Sequence, residues 1–296
     1  MRNRHPELLI PASSLEVLKT AVMFGADAVY IGGEAFGLRA KAKNFSMEDM
    51  KEGVRFAHEH GARVHVTVNI LAHNDDLQGA AEYLKELKEI APDALIIADP
   101  AIFMLAKEIC PEIERHVSTQ ANNTNYGTFN FWWNLGAKRV VTARELSLKE
   151  IKEIRAHIPE DMEIESFIHG AMCISYSGRC LLSNFFTARD ANQGACTHPC
   201  RWKYSVVEET RPGEYMPVYE NERGTYIFNS KDLCMIEHIP EMIDAGIDSF
   251  KIEGRMKTAL YVATVARTYR KAIDDYLEDP KKYEANMPWY KNQISN

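Results

Sequence analysis

The sequence predicts an α/β protein, a (β/α)8 TIM-like barrel carrying a long cysteine-bearing and β-hairpin insertion after its seventh strand. Three observations point there. A unit of amphipathic helix, glycine-type stop and short apolar strand recurs as FGADAVYIGG (24–33), HGARVHVTVN (60–69), APDALIIADP (91–100), LGAKRVVTARE (135–145) and AGIDSFKIEGR (245–255). Strands alternate with helices roughly every 25–30 residues, which implies parallel strands joined by crossover helices. The length of 296 residues suits eight such units.

Eight short strands rich in Val and Ile are expected at 7–12, 28–32, 63–69, 94–99, 114–120, 139–144, 163–169 and 249–254. Helical patterns follow most of them, near 14–25, 46–60, 76–91, 100–109, 147–157 and 258–278. In 46–61, Ser46 is placed to cap, acids fill the first turn, and Gly61 ends the helix in a left-handed turn. An open doubly wound sheet is the alternative, but no GxGxxG follows the first strand. The seventh unit is longer, with about eighty residues separating strand 163–169 from strand 249–254. Its insertion, 171–231, begins with a cysteine loop and continues in 205–230, which reads as a β-hairpin around a Pro-Gly turn. A helix over 232–245 then resumes the barrel. The barrel is thus expected over 1–279, with 280–296 as a polar, turn-rich linker.

Composition narrows the function. Hydrophobic residues at 46% and charged residues at 26% describe a globular chain with a large core. No apolar run reaches the length of a membrane span, and the apolar run near the N-terminus is too short for a secretory signal. The expectation is a cytoplasmic protein with no membrane partner, where clustered cysteines serve as metal ligands or catalytic groups rather than disulfides. A net charge of −7 argues against sequence-blind coating of nucleic acid, which needs a basic face. A local basic patch remains, with Arg179, Arg189, Arg201 and Lys203 set against Asp190 alone.

The candidate site centres on 165–204, where four of the six cysteines fall: Cys173, Cys180, Cys196 and Cys200, spaced Cys-x6-Cys-x15-Cys-x3-Cys. This is neither a zinc-finger pair nor the ferredoxin spacing. Four thiolates exclude hard Mg²⁺ and Ca²⁺ and leave tetrahedral Zn²⁺ and a [4Fe–4S] cluster open. Cys234 is a substitute for Cys196 or Cys200, and Cys110 reads as a packed apolar residue. In barrels, function gathers at the C-terminal strand ends. Those ends here are Gly32–Gly33–Glu34, Asn69, Asp99, Gln120, Arg144–Glu145, His169 and Glu253–Gly254–Arg255. On the seventh strand Glu165, Phe167 and His169 share one face, as Lys251 and Glu253 do on the eighth, so a Glu165–Lys251 contact is expected. Glu165, His169, Lys251, Glu253 and Arg255 are the catalytic candidates. Asn69, Gln120, Arg144, Arg179, Arg189 and Arg201 are the substrate-binding candidates. No HExxH or GxSxG is present, and a Cys173–His169 nucleophile pair competes with the metal for the same sulfur.

ESFIHGAMCISYSGRC, then NQGACTHPCRWKY, then NSKDLC and AGIDSFKIEGR, resemble the collagenase-like peptidase family U-thirty-two, and the likeness runs from LLIPA and GADAVYIGG to the helix after KIEGR. Some members of that family are described as peptidases and others take part in oxygen-independent hydroxylation of RNA or a quinone precursor. For the latter, the resemblance implies a [4Fe–4S] cluster on Cys173, Cys180, Cys196 and Cys200, with Cys234 in the place of the last ligand in a quinone-pathway member. It further implies prephenate as oxygen donor and a C-terminal β-domain beyond this chain. The function expected is 5-hydroxylation of the tRNA wobble uridine, with tRNA and a small co-substrate as partners. The anticodon bases would lie on aromatics such as Phe185, Phe186, Trp202 and Tyr204. A peptidase, and a zinc-stabilised barrel docking a family-member subunit, are the alternatives.

Overall fold

The computed structural model describes residues 5–33, 36, 44–173, 175–177, 179–202, 205–207, 209–217 and 232–294. Seven parallel strands come first: β1 (Glu7–Pro11), β2 (Ala28–Gly32), β3 (Arg63–Val68), β4 (Ala94–Ile97), β5 (Glu114–Val117), β6 (Arg139–Val141) and β7 (Glu163–Gly170). The insertion holds the short pair β8 (Ser205–Val206) and β9 (Met216–Pro217), then β10 (Leu233–Cys234), before β11 (Ser249–Ile252). Each of β1 to β7 pairs in parallel with its neighbour, β7 pairs with β11, and β11 pairs with β1. Eight parallel strands therefore close on themselves. Strand β10 joins from outside this count, antiparallel to the end of β7.

The outer helices are α1 (Leu15–Met23), α2 (Met47–Glu59), α3 (Asp76–Ile90), α4 (Pro100–Ile109), α5 (Tyr126–Leu135) and α6 (Leu148–Ala156). They are followed by α7 (Leu182–Thr187) in the cysteine loop, α8 (Ile239–Asp244), α9 (Ala259–Glu278) and α10 (Pro280–Ile294). Local chemistry explains their starts. Ser46 Oγ accepts from Asp49 N at 3.1 Å, and Ser147 and Glu150 form a reciprocal capping box. Asp99 is also a cap: its Oδ1 accepts from Ala101 N at 2.8 Å beside Pro100, which puts this rim carboxylate to structural use.

Three expectations need correction. Residues 280–294 form helix α10 rather than a linker, because Tyr283, Met287, Tyr290 and Ile294 make one apolar stripe against α9. Asp275 of α9 anchors it, accepting from Tyr290 Oη at 2.6 Å and Asn286 Nδ2 at 2.8 Å. The helix expected over 232–245 starts only at Ile239, since residues 233–234 pair with β7 and Pro240 fits only a first turn. Helix α5 is also present, capped by Asn125 and Gly136; its Asn and aromatic content weakens the sequence signal. The expected hairpin is seen where β8 pairs with β9, with Gly213 at φ +92° between them; residues 218–231 lie outside the described residues.

The barrel lumen is polar, which is unusual for a fold whose interior is commonly Val, Ile and Leu. Arg139, 2% exposed, donates to Glu7, Glu163 and Glu165, and Lys251 Nζ donates to Glu165 Oε1 at 2.6 Å. The expected Glu165–Lys251 contact is therefore formed. Above Glu7, the rings of His65 and His116 meet edge to face at 4.8 Å. Among the described residues His65 Nδ1 and Nε2 and His116 Nδ1 have no hydrogen-bond partner.

Burial keeps both histidines neutral, holding them well below their ordinary value of 6.5, although Glu7 pulls the other way and Arg139 and Arg63 reinforce burial. His169 is lowered to about 4 for the same first reason, with Asp232 opposing and Lys257 assisting. As pH falls below 6.5 the unfolded chain takes up these protons first, so the stability held above 6.5 drains away on acidification. At about 1.4 kcal/mol per pH unit, His169 alone accounts for about 3 kcal/mol by pH 4. Asp248, raised by burial to about 6, has the opposite slope between its ordinary 3.8 and that value and offsets part of one histidine. Urea midpoints measured at pH 7.5 and pH 5 are expected to fall on acidification, and less so in His65→Leu. Equal midpoints would contradict the assignment.

Candidate functional site

The site is built where β7 and β11 end. Between Lys251 and Ile252 the register slips, so that Lys251 pairs with Phe167 but Ile252 pairs with His169. Ile168 is the extra residue, and a bulge of this kind re-aims the side chains beyond it. His169 consequently leaves the face of Glu165 and Phe167. Its Nδ1 lies 3.2 Å from Tyr269 Oη on α9, with the Tyr261 ring behind it at 6.2 Å. The expectation that Glu165, Phe167 and His169 share a face is corrected here: a one-residue slip exchanges faces of a strand. Gly170 comes next at φ +103°, and a Cβ there would lie 2.5 Å from Glu253 O, so only glycine lets the two strand ends approach.

Glu253 and Lys251 stay on the lumen side. Glu253 Oε2 accepts from Arg144 Nη2 at 3.3 Å, and the Arg144 guanidinium lies 4.2 Å from the Phe167 ring centroid. Lys251 stands over Tyr30 at 4.4 Å. Arg255 crosses the mouth over Gly32 and donates to Thr67 Oγ1 at 2.8 Å. On the far rim, Asn69 Nδ2 donates to Ser118 Oγ at 3.4 Å. Gln120 sits in a single 3₁₀ turn just beyond β5, buried, with its Oε1 unpartnered among the described residues. The structure thus brings Arg144, Glu253 and Arg255 to one end of the barrel, while Glu165 and Lys251 pair deeper in the lumen, linked through Arg139 to Glu7 at the strand starts. Glu34 lies outside the described residues.

The cysteine loop is tied down over that mouth. Asn122 Nδ2 donates to Ser177 O at 3.0 Å, Gln193 Nε2 to Leu71 O at 2.7 Å, and Arg144 Nη1 to Cys173 Sγ at 3.3 Å. Arg201, one of the substrate-binding candidates, donates to Asp232 Oδ1 at 3.2 Å and to Met172 O at 3.4 Å, which braces the loop. Within the loop Ser183, Thr187 and Thr197 hydroxyls hydrogen-bond together at 3.1 and 3.2 Å, pinning the turn that carries Cys196 to α7. Asn122 and Gln193 escape a reading of the sequence; the only signal is the polar run TQANN directly after a strand.

All six cysteines are thiols. Among the described residues no three His, Cys, Asp or Glu side chains already stand at ligating separation for a metal ion. The four loop thiols are nevertheless neighbours. Burial pushes the Cys200 thiol up, then Cys173, Cys196 and Cys180 push it further, with Arg201 opposing. Cys234 Sγ lies 3.8 Å from Tyr269 Oη. Cys110 is fully buried, donating to Ala106 O. The Cys173–His169 pair of the nucleophile reading is not assembled: Cys173 meets Arg144, while His169 meets Tyr269.

Beside the thiols lies an exposed aromatic group. Phe185 is 82% exposed and packs edge-on against Phe186 at 5.2 Å, which in turn lies 6.2 Å from Trp202. In the same loop Arg179 is exposed, and Arg189 is half-buried with its Nε unpartnered among the described residues. Lys203 and Tyr204 lie outside the described residues. No helix among the described residues is long and apolar enough to cross a membrane.

Comparison with known proteins agrees with this layout. The chain is 49% identical over 286 residues to a protein of Bacillus subtilis named tRNA hydroxylation protein P1, covering 97% of this chain and 67% of that one. It is 44% identical over 309 residues to tRNA hydroxylation protein P of Escherichia coli, covering 91% of this chain and 68% of that one. A solved U32 peptidase superposes with a TM-score of 0.53 at 15% identity, over 84% of this chain and 93% of that chain, a likeness of fold. The sequence profile described as Peptidase family U32 matches residues 13–295, and by that match and these relatives the chain belongs to peptidase family U32.

Proposed function

We propose that this chain is the barrel of an iron–sulfur-dependent RNA hydroxylase that works without dioxygen, and that its substrate is the wobble uridine of tRNA. The observation that carries the reading is the four-thiol loop fastened over an arginine- and amide-lined barrel mouth. Relatives named for tRNA hydroxylation support the substrate class. Cys173, Cys180, Cys196 and Cys200 would hold a [4Fe–4S] cluster. The donor set fits it: four soft sulfurs on one loop, with Cys173, Cys180 and Cys196 all close to Cys200, suit a soft metal centre. When bound, such a cluster supplies one-electron chemistry at the barrel mouth.

The chain's own residues do the rest. Phe185, Phe186 and Trp202 present flat faces on which unpaired bases stack, an interaction that single-stranded RNA offers and duplex does not. Arg179, exposed, and Arg189, half-buried, belong to the same loop and are the residues that would meet phosphate. Arg255 and Gln120 face the mouth with a guanidinium and an unpartnered amide oxygen, suited to a carboxylate co-substrate bearing a hydroxyl. Prephenate, the oxygen donor implied by the resemblance, is of that kind.

Nucleoside mass spectrometry of tRNA from a strain lacking this gene tests the reading. Loss of 5-hydroxyuridine, restored by the wild-type chain in its full-length context and not by a Cys200→Ser version, is expected. Unchanged hydroxyuridine in a strain with no paralogue would overturn it. Gelatin or peptide cleavage by the purified protein would favour the peptidase reading, and one zinc in a colourless protein would favour the docking barrel.

A further inference from the structure

Arg144 has surroundings that exceed what a rim arginine needs. The backbone leading into it is fixed just beyond β6, where Thr142 N donates to Glu165 O at 2.9 Å and Ala143 N to Asn123 O at 3.2 Å. Its side chain is only 10% exposed. The planar guanidinium lies over Phe167 at 4.2 Å, one Nη donates to Glu253 at 3.3 Å, and the other donates to Cys173 Sγ at 3.3 Å. Carboxylate, ring and sulfur come from three different segments, and one rigid fork spans them.

We propose that Arg144 is a positioning residue for the thiol centre: clamped by Glu253 and Phe167, it holds Cys173 in place and raises the reduction potential of the metal group bound there. The inference rests on the cluster reading above. An N–H donated to a ligating sulfur withdraws charge from it, which favours the more reduced, more negative state of the centre. A positive charge stacked on a ring and barred from water acts more strongly than the same charge in solvent. Lysine cannot replace it, because a single ammonium does not reach carboxylate and sulfur in one plane.

The test uses the full-length protein, purified and reconstituted with iron and sulfide without oxygen. Iron content, chelator-driven iron release and the midpoint potential from spectroelectrochemical titration are compared for wild type, Arg144→Gln, Arg144→Lys and Glu253→Gln. Arg144→Gln is expected to shift the potential to more negative values and to release iron at least about tenfold faster. Arg144→Lys should fall between it and wild type, and Glu253→Gln, which unclamps Arg144, should release iron faster than wild type. A merely structural arginine would change thermal stability without moving the potential of the iron-loaded fraction. An iron-loaded Arg144→Gln with wild-type potential and release rate overturns the inference alone. If Arg144→Gln fails to fold, Arg144→Lys carries the test, and an unshifted potential there overturns it equally. A wild type that takes up no iron removes the cluster reading and this inference with it.

Discussion

Cys200→Ser is expected to lose at least about 100-fold in iron affinity, together with hydroxylation, while the barrel stays folded. Serine keeps the volume of cysteine but not the soft, polarisable thiolate that iron and sulfide clusters require. Cys200 is half-buried with Cys173, Cys180 and Cys196 near it, so its loss would leave three of the four proposed ligands. Two contrasting substitutions sharpen the result. Cys110→Ser, in the core at the end of α4, should leave iron content unchanged. Cys234→Ser should do the same, because the Cys234 thiol is engaged with Tyr269. Iron per chain after anaerobic reconstitution, with circular dichroism to check the fold, decides the matter. Full iron in Cys200→Ser, or its loss in Cys234→Ser, would contradict the assignment.

Lys251→Met is expected to lower the unfolding free energy by about 3–5 kcal/mol, the range for breaking a buried ion pair from one side. Lys251 is 4% exposed and Glu165 0%, so solvent cannot replace the lost partner. Glu165 would be left with Arg139 alone, which already serves Glu7 and Glu163. The cost comes from the stranded carboxylate more than from the missing attraction. Lys251→Met combined with Glu165→Leu should therefore recover part of the loss, a coupling that a double-mutant cycle reads directly. Urea unfolding at pH 7.5 measures all three. An unchanged midpoint in the single variant would show that the lumen charges do not hold the barrel.

Much of this architecture is written locally. Ser46, Asp99 and Ser147 cap their helices through contacts with residues two or three positions away, and these caps are legible in the chain itself. The repeat of glycine stop and short strand likewise announces parallel strands, since both rest on periodicity. The apolar stripe at positions 283, 287, 290 and 294 is equally present, but Lys, Glu and Pro around it mask a helix whose stability comes from docking on α9.

Chain order alone determined the barrel, the clustering of four thiols on one long insertion and the membership of a family, because composition, spacing and periodicity depend on near neighbours. Only the folded molecule decided which way His169 points, that Arg201 pairs with Asp232, that Arg144 touches Cys173, and that Cys234 meets Tyr269. These outcomes turn on a single-residue register slip and on contacts such as Arg139 with Glu7, 132 positions away. A slip of one residue reverses a side chain without altering hydrophobic pattern, and closure of the barrel creates neighbours that no window of sequence contains.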